Sequence, residues 1–298
     1  MKIKGTTTSV TLSDFPKILG ISAIIGIAIR CIQMAKFIDS ETGFTTGGKL
    51  FSVILILLLV ATVLAFLVKA FLSAESEKLQ LQGVKSTPLG AATLFFSVSL
   101  LFDFVSGLTA MSDAGATGDF KNLMLTGAMP RLIQSVFALF SAFYFLLLAK
   151  DFRNGTQKAS KHRILAITPV GWAGFRMICR FVRQISFVKV SDLFLELVML
   201  AFMLIFFMAL AQVVSGVYSD GFSWRIPSFG AAAAFVAVIL SVPRLIFTVI
   251  SFEKFINPQH TFQLADFAFF VFILMLTMIV CKDINPYTAY DNGNDGGE

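Results

Sequence analysis

Six ionisable residues interrupt apolar sequence: Arg30, Asp103, Arg180, Glu196, Arg244 and Asp266. A charge near the centre of a bilayer-spanning helix costs roughly 2.5–3.5 kcal/mol on insertion scales. Each is therefore expected to face other helices and find a partner there. Guanidinium and carboxylate groups at one depth can lock helices together as ion pairs. They can also hold a small polar solute or an ion.

Other chemistries find little support. The histidines, His162 and His260, fall in loops, and the cysteines Cys31, Cys179 and Cys281 are far apart. No Cys/His group has metal-ligand spacing, so no metal or cofactor is expected. Gly47-Gly48-Lys49 leads straight into an apolar helix and is not a phosphate loop. There is no HExxH, no GxSxG and no pair of carboxylates at catalytic spacing, so an enzyme is not expected.

The elements that must position these charges are membrane helices. Hydrophobic residues make up 56% of the 298 and charged residues only 14%, against about 25% charged in soluble domains. Mean hydropathy is +0.81. Lipid must be the solvent for much of this chain. The pattern predicts an all-α polytopic bundle of eight helices: Pro16–Phe37, Leu50–Leu72, Leu89–Met111, Leu132–Ala149, Ile164–Val188, Leu193–Val217, Ile226–Ser251 and Phe262–Cys281. Lys2, Lys4 and Lys17 precede the first run, and no small-x-small cleavage site follows it, which predicts an uncleaved first span. Pro243 is expected to kink or end the seventh helix.

Segment 5 has two readings. Arg176, Arg180 and Arg183 share one face, while Phe175, Ile178, Val182 and Ile185 share another. A basic amphipathic helix lying on the membrane surface has this pattern, which would leave seven spans. The other reading is a true span.

The basic loop 150–163 carries Lys150, Arg153, Lys158, Lys161 and Arg163. This bias puts the N-terminus in the cytoplasm. The net charge of +6 then records orientation, and no nucleic-acid partner is expected. The partners expected are the lipid bilayer, a small solute or ion, and a membrane-protein partner. With this orientation helices 1, 3, 5 and 7 run outward, and all six embedded charges fall in the outer half. That predicts an outward-opening polar pocket with Arg30–Asp103 as its ion pair, capped by loop 39–48. Glu196 and Asp266 also fit a simpler role at the water interface.

The halves echo each other in order. Arg30–Ile38 matches Arg180–Val188, Gly90–Leu100 shares six of eleven residues with Gly230–Leu240, and Lys150-Asp151 recurs as Lys282-Asp283. This predicts a parallel duplication: a four-helix unit over 1–151, a basic linker over 152–163, a second unit over 164–283 and a disordered acidic tail over 284–298.

Arg30-Cys31-Ile32-Gln33, followed by Asp39-Ser40-Glu41-Thr42-Gly43, resembles the first-helix region of multi-pass membrane proteins from anaerobic Gram-positive bacteria. Those proteins carry Arg-x-x-Gln and then an acidic residue shortly before Thr-Gly. The resemblance implies a bacterial cytoplasmic (plasma) membrane and brings no activity with it. The second copy departs from it, because Arg183 stands where Gln33 does and no Asp-x-x-Thr-Gly follows.

Two functions remain. One is a transporter or small-solute binding protein with its site between the halves. The other is a non-catalytic scaffold or accessory subunit whose charges are structural. Orientation is tested first. In a background lacking Cys31, Cys179 and Cys281, Tyr290→Cys should resist a membrane-impermeant maleimide in intact cells. Efficient labelling from outside would refute the eight-span, N-in topology.

Overall fold

The computed structural model describes residues 15–37, 47–73, 84–115, 128–183, 191–216, 225–250 and 262–283. The leader, the tail 284–298, His260 and all of the 39–48 cap except Gly47 and Gly48 lie outside the described residues. Eight α-helices run in order: α1 Phe15–Phe37, α2 Lys49–Ser73, α3 Thr87–Gly115, α4 Ala128–Asn154, α5 Arg163–Arg183, α6 Ser191–Val214, α7 Arg225–Ile250 and α8 Leu264–Asp283. A 3₁₀ turn, Ala159–Lys161, joins α4 to α5. Among the described residues there is no strand.

Seven of these helices, α1 to α7, are long and apolar enough to cross a membrane, and α8 carries a shorter apolar stretch, Leu264–Ile279. Their outer faces are apolar too. Ile24, Leu57, Phe71 and Phe102 are all more than half exposed. Water would not tolerate so continuous an apolar perimeter. This is an integral membrane protein, with lipid against those side chains.

Consecutive helices reverse direction. Phe15 stacks on Phe66 and Phe37 faces Phe51, which pairs each end of α1 with the opposite end of α2. The Ser86 N–H donates to the Phe152 carbonyl, joining the start of α3 to the end of α4. The bundle therefore has two distinct ends. One holds the basic linker, the end of α6 and the start of α7. The other holds the end of α5, the start of α6 and the end of α7.

At the centre stands α7, packed against α1, α2, α6 and α8. Its residues from Ile226 to Leu240 are buried on nearly every face, and Ala231, Ala232, Ala233 and Ala234 are fully enclosed. Small side chains let neighbouring backbones come close where no hydrophobic effect drives association. Pro243 does not end this helix, which continues to Ile250. The missing N–H removes one backbone bond, and the packing around it holds the remaining turns in place.

Beside α7 lies an aromatic knot. Phe96 of α3 meets Phe145 of α4, Trp172 of α5, Phe207 of α6, and Phe269 and Phe272 of α8, at centroid distances of 4.8–6.2 Å. Edge-to-face and stacked pairs of this kind add to area burial. One side chain thus connects five helices.

The placement of α5 decides between its two readings. It packs between α4 and α6, and Trp172 is fully buried. Ile164, Ile167, Ile178 and Phe181 point outward, whereas Arg176 is buried. The amphipathic pattern is real, but its sense is the reverse of a surface helix. Arg176 and Arg180 meet carboxylates of neighbouring helices, and Ile178 and Phe181 face lipid.

Packing also mixes the halves of the chain. α1 and α2 lie against α7, and α3 lies against α4 and α8. α6 packs along α7, whereas α2 has α1 and α7 as its main neighbours. α3 and α4 share the most extensive contact, and glycines permit it. A Cβ on Gly90 would sit 3.1 Å from the Ala149 carbonyl oxygen, and one on Gly107 would sit 2.9 Å from the Ser135 Cβ. Ser97 Oγ donates across the same seam to the Ala142 carbonyl at 2.7 Å.

Gly107→Val should therefore force α3 and α4 apart and cost about 1–3 kcal/mol. Gly20→Val, where nothing lies within 4 Å of an added Cβ, is the matched control. Thermal unfolding in detergent should show a lowered midpoint for the first and little change for the second. Equal effects would refute the close-approach argument.

Candidate functional site

The embedded charges gather at the end of the bundle opposite the basic linker. Arg180 lies late in α5, Glu196 early in α6 and Arg244 late in α7, so helix reversal brings them level. The Glu196 carboxylate is held from both sides. Arg180 Nε stands 2.9 Å from Oε2 and its Nη2 donates to Oε1 at 3.4 Å, while Arg244 Nη1 donates to Oε1 at 2.6 Å. Asp266, in the first turn of α8, takes a two-point contact from Arg176, at 2.7 and 2.8 Å. Arg176 also donates to Gln263 Oε1. Of the two contacts to Asp266, the Nη2–Oδ2 contact is a charge-assisted hydrogen bond, and the Nη1–Oδ1 approach adds charge attraction.

A third polar group joins α3, α4 and α5. Asp103 Oδ2 accepts from Gln134 Nε2 at 2.8 Å and from Trp172 Nε1 at 2.7 Å. Arg131 stands 3.7 Å from its other oxygen. Arg176 bridges this group to the next, because its guanidinium lies 5.3 Å from the centre of the Trp172 ring. The result is a relay of opposite charges and π faces from α3 to α8. A cation over an indole face is attracted by the ring quadrupole, more so where water is excluded.

Arg30 belongs to a separate connection. Its Nη1 donates to Gln33 Oε1 at 2.5 Å, and Gln33 Nε2 donates to Ser52 Oγ at 2.8 Å. Residues three apart share a helix face, so the Arg-x-x-Gln spacing lets one residue orient the other toward α2.

Several expectations need correction. The Arg30–Asp103 ion pair does not form, since the two residues have the different partners just described. Glu196 and Asp266 do not rest at a water interface. They are 3% and 1% exposed. Of the six predicted residues, Arg180, Glu196 and Arg244 form one cluster. Asp266 adjoins it through Arg176, and Asp103 and Arg30 each sit in their own polar setting. A cavity of about 370 Å³ lies at the opposite end, between α6 and α7.

Sequence reasoning placed Arg176 on the arginine face of segment 5 but outside the site, and it missed Trp172, Gln134 and Gln263. Arg176 had a signal, because it precedes Arg180 by one helical turn. Gln134 also had one, as an amide inside an apolar run. Trp172 had none, since its indole nitrogen matters only once α3 is placed beside it. Among the described residues no group of His, Cys, Asp and Glu side chains could hold a metal ion.

Comparison with family models, with curated proteins and with solved structures gives no match. The site is therefore read from its own geometry.

Glu196→Leu would leave two guanidinium groups facing each other in a dry setting. It should cost about 3–5 kcal/mol, the usual penalty for breaking a buried pair, seen as a lowered thermal midpoint. Asp103→Asn and Arg30→Gln, in contrast, should combine additively to within about 0.5 kcal/mol because they share no partner. A double-mutant cycle showing strong coupling would refute the separation of the two groups.

Proposed function

We propose that this protein is a non-catalytic scaffold or accessory subunit of a bacterial cytoplasmic membrane, and that its intramembrane charges are structural. The observation that supports this is the pairing of the two most deeply buried carboxylates with arginines. Glu196 is clamped between Arg180 and Arg244, and Asp266 is held at two points by Arg176. A transport site needs a charged group that can exchange its partner for a solute. These groups already hold one another, in settings where breaking a pair is costly. The basic residues of the linker support a cytoplasmic location for that end and for the N-terminus.

A second reading rests on the Asp103 group. Asp103 and Arg131 side chains are 16% and 22% exposed, and their contact is loose at 3.7 Å. Gln134 Oε1 and Arg131 Nε are buried with no hydrogen-bond partner among the described residues. An acceptor and a donor standing unused beside a carboxylate would suit a small polar solute.

The two readings separate in one experiment. A triple replacement, Arg180→Leu with Glu196→Leu and Arg244→Met, removes all three charges together. Apolar replacement of a whole buried ionic group is often neutral or stabilising. The triple variant should therefore regain most of the thermal midpoint lost by Glu196→Leu alone. Under the scaffold reading no small polar solute raises the midpoint of the unmodified protein. A solute that stabilises it, and fails to stabilise Asp103→Asn, would overturn the scaffold reading in favour of solute binding.

A further inference from the structure

The linker between α4 and α5 is remote from the ionic cluster and takes no part in it. Residues 150–163 hold five basic side chains and one carboxylate, that of Asp151. This carboxylate is turned inward. It is 5% exposed, and it accepts from Thr156 Oγ1 and, at 2.6 Å, from the Ala159 N–H. Lys150, Arg153, Lys158, Lys161 and Arg163 are exposed, and among the described residues none of them forms an ion pair. The turn beneath them is fixed. The Gly155 and Thr156 N–H groups donate to the Asp151 carbonyl, and the His162 N–H donates to the Ala159 carbonyl. The cations are thus presented together on a held frame. Both flanking helices show apolar side chains to lipid just below them. On α4, exposed Phe143 shares a face with Lys150, which stands about 10 Å further along the helix. On α5, exposed Ile167 shares a face with Arg163, about 6 Å back, and Ile164 beside it is 85% exposed. Each of these lipid-facing stripes therefore ends in a cation.

We infer that this face binds the headgroups of anionic phospholipids in the leaflet around it, with acyl chains along Phe143, Ile164 and Ile167. Charge complementarity selects the occupant, since basic residues clustered at the end of a membrane helix attract anionic headgroups. The long stems of Lys and Arg let the charge reach that level while the stem lies along apolar surface. The apolar neighbours select a lipid over a soluble polyanion. A nucleic acid or an acidic protein would pair with the cations and leave Ile164 and Ile167 in water. A zwitterionic lipid would cover the isoleucines and bring no net charge to the cations. An anionic lipid answers both parts of the face. The inference stands apart from the scaffold reading, because it uses none of the charges embedded in the helices.

Native mass spectrometry of the full-length protein in detergent tests this. Phosphatidylglycerol and phosphatidylcholine with identical chains are added, with and without inorganic phosphate. The unmodified protein should retain phosphatidylglycerol about fivefold better or more, the factor that one basic residue near a membrane surface provides. Lys150→Gln with Lys158→Gln, Lys161→Gln and Arg163→Gln should lower that ratio about threefold or more. Lys158→Gln with Lys161→Gln should lower it part of the way, and this pair decides the matter should the full set fail to fold. Lys36→Gln with Lys49→Gln, exposed at the opposite end of the bundle, is the matched control and should leave the ratio unchanged. Equal retention of the two lipids by the unmodified protein would overturn the inference. So would a control pair that lowers the ratio as far as the linker variants do. Loss of the preference on adding inorganic phosphate would assign the face to a free anion and also overturn it. A preference that emerges only when Asp291, Asp295 and Glu298 are replaced by their amides would make the tail the occupant, with the same result.

Discussion

A charge inside a bilayer must be answered by another charge, and most of this architecture follows from that constraint. Glu196 sits between Arg180 and Arg244, and Asp266 faces Arg176. These three ion pairs tie α5 to α6, α6 to α7, and α5 to α8. None of the ties is local. Each partner lies 16 to 90 residues away along the chain. The helices must therefore be side by side, reversed and in register before any of the charges is tolerable. The same ion pairs that are costly to break also specify which helices are neighbours.

Away from that end, packing rather than charge does the positioning. In lipid the hydrophobic effect gives helices no reason to associate, so close fit must do so. α7 achieves fit with alanines and Gly230, and α3 and α4 achieve it with Gly90, Gly107 and a shared serine bond. The aromatic knot around Phe96 joins the α3–α4 pair to α5, α6 and α8. At the basic end Asp151 fixes the linker. Its carboxylate accepts from Thr156 Oγ1 and from the Ala159 N–H, while Gly155 turns the chain at φ 70°. The basic end is thus built on an anchored turn.

The α5 helix shows why an amphipathic pattern has two solutions. Three arginines on one face and apolar residues on the other suit a helix lying on a membrane. They equally suit a span whose arginines meet carboxylates inside a bundle. Which solution holds depends on whether Glu196 and Asp266 are within reach, and no local window of sequence contains that fact. The same limit explains Arg30. Its depth matches that of Asp103 on a linear count, but depth does not say which way a side chain faces. α1 presents Arg30 toward Gln33 and α2, and α3 presents Asp103 toward α4 and α5.

The sequence alone determined that this is an all-helical membrane protein, where its helices lie to within a few residues, and that one end is basic. It also marked the residues that could not face lipid. These properties depend on composition and on periodicity along one helix, both of which are local. Only the tertiary structure decided how those residues pair, that Trp172 and Gln134 serve Asp103, that Pro243 is carried within a continuous helix, and that α1 and α2 pack against α7. Those outcomes depend on which faces meet across the bundle. That is settled by the sum of glycine gaps, ring contacts and charge partners from all the helices at once.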